Sequence, residues 1–575
     1  MNTISAGRAV VHALEAEGVS HVFGMPGGHV LGIYDAIYHS DKMNSVLVTH
    51  EHQAAAMAAG HAQLTGQVAV VVVTAGPGVT NALTAVTEAY VGALPMVVLA
   101  GRGATETVYR GASQEVDTHR VFDPVTKSAV RVDRADLLVP AVRQAFAMAR
   151  GGKPGPVLID IPRDVLGQQV ESRPYFPAGP ATRVVAESAH VEAAVAALVQ
   201  AQRPIIVAGG GVIASGASDA VRELAETLAT PVLTSLAGRG SVPEDHPLAV
   251  GGLGAHRNPV SKRLLGEADV VLGLGTRFEE METNWRPGAI PHPDATYIQV
   301  DIDHAELGRS VPANIALVGD ARTVAEQLLA GVIAAGEPST VGYQAHPRVA
   351  RVRDELDAVE AEVDTMAASE ETPIHPVRVI RTARAVFPRK TTYGVDVGVL
   401  AQHIGGAFPY FRVFEPRSTI IPSSFYGMGF VTAAMPVARL VHPDRPALCF
   451  TGDGSFQMAM NVLPVATANR LPVTWAVLND EALGSIWDIQ HHVFGDRILD
   501  TEFSYQPDFV SVAAACGCHA ARVDNPADVE TALKQALAAN NEGRPAVIDF
   551  RVARVRLAQT KEHYIATYPA EEEQA

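Results

Sequence analysis

Cysteine is nearly absent from this chain: Cys449, Cys516 and Cys518 are the only three in 575 residues. So few thiols exclude the disulfide framework of a small secreted scaffold. Cys516-Gly517-Cys518 has no second pair nearby to complete a zinc site, so these thiols read as small buried groups in a reducing compartment. Long apolar runs are missing too, and none reaches the roughly 18 to 20 residues that span a bilayer. Met1-Asn2-Thr3-Ile4-Ser5 leads straight into an amphipathic helix without a signal-peptide pattern, so cytoplasmic residence is expected. Basic residues are in deficit, 45 against 62 acidic, giving a net charge of −17 and a pI of about 5.6. That balance argues against nucleic acid or an anionic membrane as partner.

What is present is a well-buried globular composition, 47% apolar and 19% charged, in a chain too long for one core. Residues 1–165 alternate helix and strand, with strands expected at 21–23, 45–49, 68–74 and 96–100. This is the βα rhythm of a parallel sheet covered on both faces. Pro174, Pro177 and Pro180 mark 166–186 as a linker. A second unit, 187–335, carries strands at 204–208, 232–234, 270–274 and 298–301. Gly209-Gly210-Gly211 after its first strand suggests a dinucleotide-like fold, although it is not Gly-x-Gly-x-x-Gly. A polar stretch with a solvated helix at 347–366 precedes a third unit, 373–553, and a tail, 554–575, expected to fray at Glu571–Ala575. The fold class expected is α/β, with three doubly wound parallel-sheet domains.

Chemistry concentrates in the third unit. The apolar run Leu448-Cys449-Phe450 ends in Gly452-Asp453-Gly454-Ser455, and Asn479-Asp480 follows a second apolar strand, with Asp480 27 positions after Asp453. A strand that ends in such a turn and opens a helix offers backbone N–H groups and a hydroxyl to a phosphate. Asp453, Asp480 and a backbone carbonyl near Ala482 can share one Mg²⁺ whose remaining ligands are diphosphate oxygens. A single helix is expected over 455–469, kinked at Pro464.

The Gly-Asp-Gly turn and the later Asn479-Asp480 pair resemble the signature of thiamine-diphosphate enzymes, with Asp480 in place of the family's second Asn. Over nearly the whole chain the resemblance is to the acetohydroxyacid (acetolactate) synthase group, with some features of benzaldehyde lyase. It implies that the first domain binds the aminopyrimidine and the third binds the diphosphate and Mg²⁺. Glu51, between a strand and a helix, matches the Glu that drives pyrimidine tautomerisation and so generates the ylid. Gly27, in Gly24-Met25-Pro26-Gly27-Gly28, and Gly76, in Thr74-Ala75-Gly76-Pro77-Gly78, match the loops beside it. Val397 and Gly398, after Asp396, would meet the diphosphate with Gly452, Asp453, Gly454, Ser455 and Asp480. Met428, in Tyr426-Gly427-Met428-Gly429, matches the residue that holds the cofactor bent, and the Tyr426 carbonyl would accept from its amine.

Several positions depart from the synthases. His29 stands where they carry a small residue and benzaldehyde lyase carries His; its imidazole can relay protons. Gln114 matches the substrate-facing Gln, but Ser113 replaces the preceding Phe. Arg163 stands for Lys, Val399-Leu400 for Gln-His, and Ile489 for the specificity Trp. Met281 stands where the synthases place the Arg that recognises a second 2-oxo acid, and a thioether cannot bind a carboxylate. The reading is therefore a thiamine-diphosphate- and Mg²⁺-dependent carboligase or lyase. It would cleave or form the C–C bond beside a carbonyl of 2-oxo acids or 2-hydroxy carbonyl compounds, through an ylid and an enamine. FAD in the central domain is left open, present in the synthases and absent from benzaldehyde lyase. The rivals are an FAD-containing acetolactate synthase, a 2-hydroxyacyl-CoA lyase using Arg551, Arg554 and Arg556 as a nucleotide pocket, and a non-catalytic paralogue. The resemblance implies a homodimer or homotetramer acting on small carbonyl compounds.

Overall fold

A computed structural model describes residues 3–336, 342–556 and Glu562. The frayed end expected at 571–575 lies outside the described residues, as does the polar run Glu337-Pro338-Ser339.

Three six-stranded parallel sheets, each flanked by helices, follow one another along the chain. In spatial order the first holds Asn44–Leu47, His21–Gly24, Ala69–Val73, Met96–Arg102, Pro156–Pro162 and Ser128–Arg131. The central sheet holds Ala249–Gly252, Val232–Thr234, Pro204–Ala208, Val270–Leu274, Thr296–Asp301 and Ile315–Val318. The third holds Thr419–Ile420, Thr392–Val395, Ala447–Gly452, Thr474–Asn479, Ala546–Arg551 and His519–Val523. Middle strands such as Ala69–Val73 are buried at every residue. Helices cover both faces of such a sheet, so these strands read as unbroken apolar runs.

The helix Glu51–Thr65 is apolar almost all round, because Ala54–Ala59 pack in one core with Phe430, Val431, Val437 and Ala438 of the third domain. Small side chains permit that approach: a Cβ on Gly60 would lie 3.0 Å from Val437 Cγ1. The central and third domains are joined by Arg239, which is buried. It donates to both carboxylate oxygens of Glu244 at 2.7 Å and to the Tyr393 hydroxyl at 3.0 Å.

Two local expectations need correction. The helix expected at 455–469 is broken into Asp453–Ala459, a 3-10 turn Met460–Val462 and Leu463–Ala468. Pro464 lies in the first turn of the last piece, where its missing N–H forfeits no bond. Part of the proposed linker is ordered, since Gln169–Glu171 pairs antiparallel with Thr3–Ser5.

Candidate active site

Glu51 and His29 leave the carboxyl edge of the first sheet beside the Gly76 turn, because the strands feeding them are neighbours. Glu51 opens its helix just after His50, whose ring accepts the His52 N–H. A carboxylate at that end is favoured by the helix dipole. Glu51 is 5% exposed, and its Oε2 accepts from Asn81 Nδ2 at 2.9 Å. Asn81 belongs to the helix Pro77–Val91, about one turn beyond the Gly76-Pro77-Gly78 stretch singled out above. Gly76 caps that helix with φ +61°, and a Cβ there would fall 2.9 Å from Gln114 Cβ. Gln114 is exposed, with φ +62°, and so lies against the Gly76 turn. His29 is buried, with Nδ1 3.1 Å from Thr74 Oγ1. Burial, and then the Arg163 charge, lower its pKa and keep the ring neutral at pH 7. Gly27 rests on Thr74 so closely that a Cβ would lie 2.5 Å from Thr74 Cβ.

The third sheet presents a second cluster, because Thr392–Val395, Ala447–Gly452 and Thr474–Asn479 are adjacent and parallel. The Asp396 carboxylate is fully buried and accepts from the N–H groups of Val397, Gly429 and Thr432 at 2.8 to 3.1 Å. Beside it, a Cβ on Gly398, whose φ is +142°, or on Gly452 would meet nothing within 4 Å. The Ser455 hydroxyl, expected at a phosphate, instead donates to the Val397 carbonyl at 2.8 Å and ties the two turns together. Met428 Cε lies 3.2 Å from where a Gly454 Cβ would be, so the Tyr426–Gly429 loop touches the Gly-Asp-Gly turn.

Asp453 and Asp480 are both buried. The Asp453 carboxyl is pushed up to about 7, first by burial and then by the neighbouring Asp480. Gln506 donates to Asp453 Oδ2, a contact that no sequence pattern announced. Asp480 is likewise raised by burial, against the opposing charge of Arg556 3.3 Å away. Ala482 forms an isolated antiparallel bridge with Glu502. The bonds from Leu483 N–H to the Thr501 carbonyl and from Phe503 N–H to the Glu481 carbonyl flank it, so its own carbonyl turns away from that segment. Two crowded carboxylates and a carbonyl are a hard-oxygen set that suits a Mg²⁺-like cation. Among the described residues no group of three or more His, Cys, Asp or Glu could hold a metal, so such an ion would depend on backbone and ligand oxygens.

The description "Thiamine pyrophosphate enzyme, N-terminal TPP binding domain" matches residues 4–121, the central-domain description matches 191–328, and the C-terminal TPP binding domain matches 400–550. This chain belongs to the thiamine pyrophosphate enzymes. It is similar to the probable acetolactate synthase large subunit of Methanocaldococcus jannaschii, 34% identical over 552 residues, 92% of this chain and 90% of the relative. The acetolactate synthase isozyme 3 large subunit of Escherichia coli is 34% identical over 565 residues, 96% and 95% of the two chains. The acetolactate synthase large subunit of Haemophilus influenzae is 32% identical over 552 residues, 94% of each. The chain is thus a thiamine-diphosphate-dependent enzyme of the acetolactate synthase group.

A cavity of about 770 Å³ opens at the carboxyl edge of this enzyme's central sheet. Its walls include Gly210, Gly211, Gly275, Thr276, Asp301 and Asp320, with Arg417 and Tyr426 of the third domain. The triple glycine is needed for packing: a Cβ on Gly209 would fall 2.1 Å from the Gly275 carbonyl oxygen. Gly275, Thr276, Arg277 and Glu279 line the cavity, whereas no residue of 251–256 does. His256 instead packs edge to face on His403 of the third domain, ring centroids 5.6 Å apart.

Glu282, also on the cavity wall, accepts the Leu236 N–H at 3.0 Å. Burial, and then Glu279, push its carboxyl from 4.5 to about 7. A raised acid pKa means that the unfolded chain holds fewer protons between those values, so this group lowers stability as pH rises through that window. Glu282→Gln keeps the acceptor and removes the charge. Its melting temperature should exceed that of the unmodified enzyme at pH 8, by an effect of about 3 kcal/mol at most, and should match it at pH 5. Thermal denaturation at the two pH values checks this; equal shifts at both would contradict it.

At the remaining positions, Ser113 is exposed and Met281 half-buried. Val399, Leu400 and Ile489 are buried in the third domain's core. Ile489, which stands where the synthases carry the specificity Trp, packs on that core from the helix Gly484–His492. Arg551, Arg554 and Arg556 already pair with Glu481, Glu502, and Asp480 with Asp488. A CoA phosphate would therefore compete with these carboxylates for them. Cys449 and Cys518 are buried free thiols and Cys516 is partly exposed, in keeping with a packing role.

Proposed function

We propose that this enzyme binds thiamine diphosphate with Mg²⁺ and acts as a carboligase or lyase on 2-oxo acids or 2-hydroxy carbonyl compounds. The observation that carries the reading is the pair of buried carboxylates, Asp453 and Asp480, at the exits of adjacent parallel strands, with open space beside Gly398 and Gly452. Asp453, Asp480 and the Ala482 carbonyl would hold the cation. The Val397-Gly398 peptide and the first-turn N–H groups of Gly454 and Ser455 would face the diphosphate, and Met428 and the Tyr426 carbonyl the thiamine. When bound, the cofactor supplies a carbon nucleophile and an electron sink. Glu51, fixed by Asn81, would hold or move a proton at the pyrimidine. Neutral His29, oriented by Thr74, would accept or return one at the substrate oxygen, and Gln114 would orient that substrate. The same reading assigns 1–165, 187–335 and 373–553 to the pyrimidine-binding, central and diphosphate-binding domains. Its active unit is a homodimer, or a homotetramer built from two, in the cytoplasm. Among the described residues no helix is long and apolar enough to cross a membrane.

A second reading, acetolactate synthesis with bound FAD, is favoured by the relatives' names and by the dinucleotide-sized cavity whose strand-end Asp301 suits a ribose hydroxyl. Met281 separates the two readings. Under the first, pyruvate alone gives CO₂ release with little acetolactate, and Met281→Arg raises acetolactate formation; abundant acetolactate from the unmodified enzyme would sink it. For the cavity, the expected result is a flavin absorption band in the purified enzyme near 450 nm (about that wavelength for any bound flavin); a colourless protein that takes up no added FAD overturns that assignment.

A further inference from the structure

Glu88 is fully buried in the helix Pro77–Val91 of the first domain, yet its carboxylate is occupied by the third. Its Oε2 accepts the Ser423 N–H at 2.9 Å and also the Ser423 hydroxyl, and its Oε1 accepts the Gly427 N–H at 2.6 Å. One carboxylate thus grips both ends of a tight turn. Inside the turn, the Tyr426 N–H donates to the Ser423 carbonyl at 3.2 Å, and Tyr426 takes a left-handed φ of +53°. Met428 follows directly and reaches Gly454 of the Gly-Asp-Gly turn. Seven residues before Glu88, on the same side of the helix, stands Asn81, the partner of Glu51.

We propose that Glu88 is a positioning residue: by clamping Ser423 and Gly427 across the domain boundary it sets the place of the Tyr426 carbonyl and of Met428 against the cofactor. The proposal rests on the reading that this loop contacts thiamine diphosphate. Three donors converge on the two oxygens, so an acceptor-only group is required. Glutamine has the same shape but must turn its NH₂ toward either the Ser423 or the Gly427 N–H, leaving two donors facing each other. The Pro77 helix is thereby tied through Asn81 to Glu51 and through Glu88 to the loop under the thiamine. The turn's height then follows the first domain and not the flexibility of 423–429 alone.

The test uses the full-length enzyme with Mg²⁺, titrated with thiamine diphosphate and followed by near-ultraviolet circular dichroism and turnover. The unmodified enzyme should develop a cofactor band; if it shows none, the cofactor reading itself fails, whatever the variants do. With that band present, Glu88→Gln should need at least tenfold more cofactor for half-saturation, show an altered band, and turn over more slowly even at saturation. Ser423→Ala, which removes one donor and keeps Glu88, should shift half-saturation in the same direction by a few-fold. A Glu88→Gln enzyme that melts earlier but binds with an unchanged band and half-saturation within twofold overturns the proposal. So does an unaffected Ser423→Ala enzyme, even where Glu88→Gln cannot be purified.

Discussion

Glu51→Gln should lower turnover by about 10²- to 10⁴-fold, the span that a positioned acid–base group commands, while thiamine diphosphate still binds within a few-fold of normal. The reason lies in the Asn81 contact. Asn81 Nδ2 donates to Glu51 Oε2 at 2.9 Å, so a glutamine must give its carbonyl to Asn81 and turn its NH₂ to the position of Oε1. An acceptor facing the site becomes a donor, and the proton-moving function is lost although shape and burial are kept. Loss of the charge at the helix start costs only about 0.3 to 1 kcal/mol, so the variant should fold. Steady-state turnover beside a cofactor titration separates the two effects; activity within tenfold of normal would falsify the role given to Glu51.

The second large effect is expected at Arg556. Its guanidinium lies 3.3 Å from Asp480 and also engages Asp488, and all three side chains are buried. Asp488 is itself held up at about 6 by burial in spite of that cation. Arg556→Met leaves Asp480 only the lesser pull of Arg554 and Asp488 only that of His491, and breaking such a buried pair costs about 3 to 5 kcal/mol. The carboxyls meet that penalty by retaining protons, which compete with the metal. Mg²⁺ affinity at pH 7 should therefore fall about 10- to 100-fold, with the deficit shrinking as pH rises and those protons leave. Asp480→Asn removes the charge that Arg556 offsets, so adding Arg556→Met in that background should cost much less. Calorimetric Mg²⁺ titrations of the four proteins at two pH values test this. Equal losses in both backgrounds would show that Arg556 acts elsewhere.

Arg556 also illustrates what could and could not be read from the chain alone. The strands Ala447–Gly452 and Thr474–Asn479 were legible because burial on both faces makes them plain apolar runs, and the motifs at their ends lie within a few residues of each strand. Edge strands such as Ser128–Arg131, His519–Val523 and the two-residue Thr419–Ile420 escaped because they are short or partly exposed. Arg556 matters only because Ala546–Arg551 pairs with Thr474–Asn479, which brings residues 552–556 over Asp480. Glu88, Gln506 and Glu282 are of the same kind: each is an ordinary polar residue in sequence and acquires its partner only when distant segments meet. The departure at Asp480 was visible, and the cation that accompanies it was not.

The alanine-rich helix that begins at Glu51 has a consequence for how this protein is made. Ala54–Ala59 share a core with Phe430–Ala438, so during synthesis the first group leaves the ribosome long before the second exists. At about 5 to 20 residues per second, that wait is roughly 20 to 75 s. Throughout it an uncovered, nearly uncharged helix face is offered to any passing surface. Newly made chains should depend on holding by a chaperone over that interval, more than their final burial suggests.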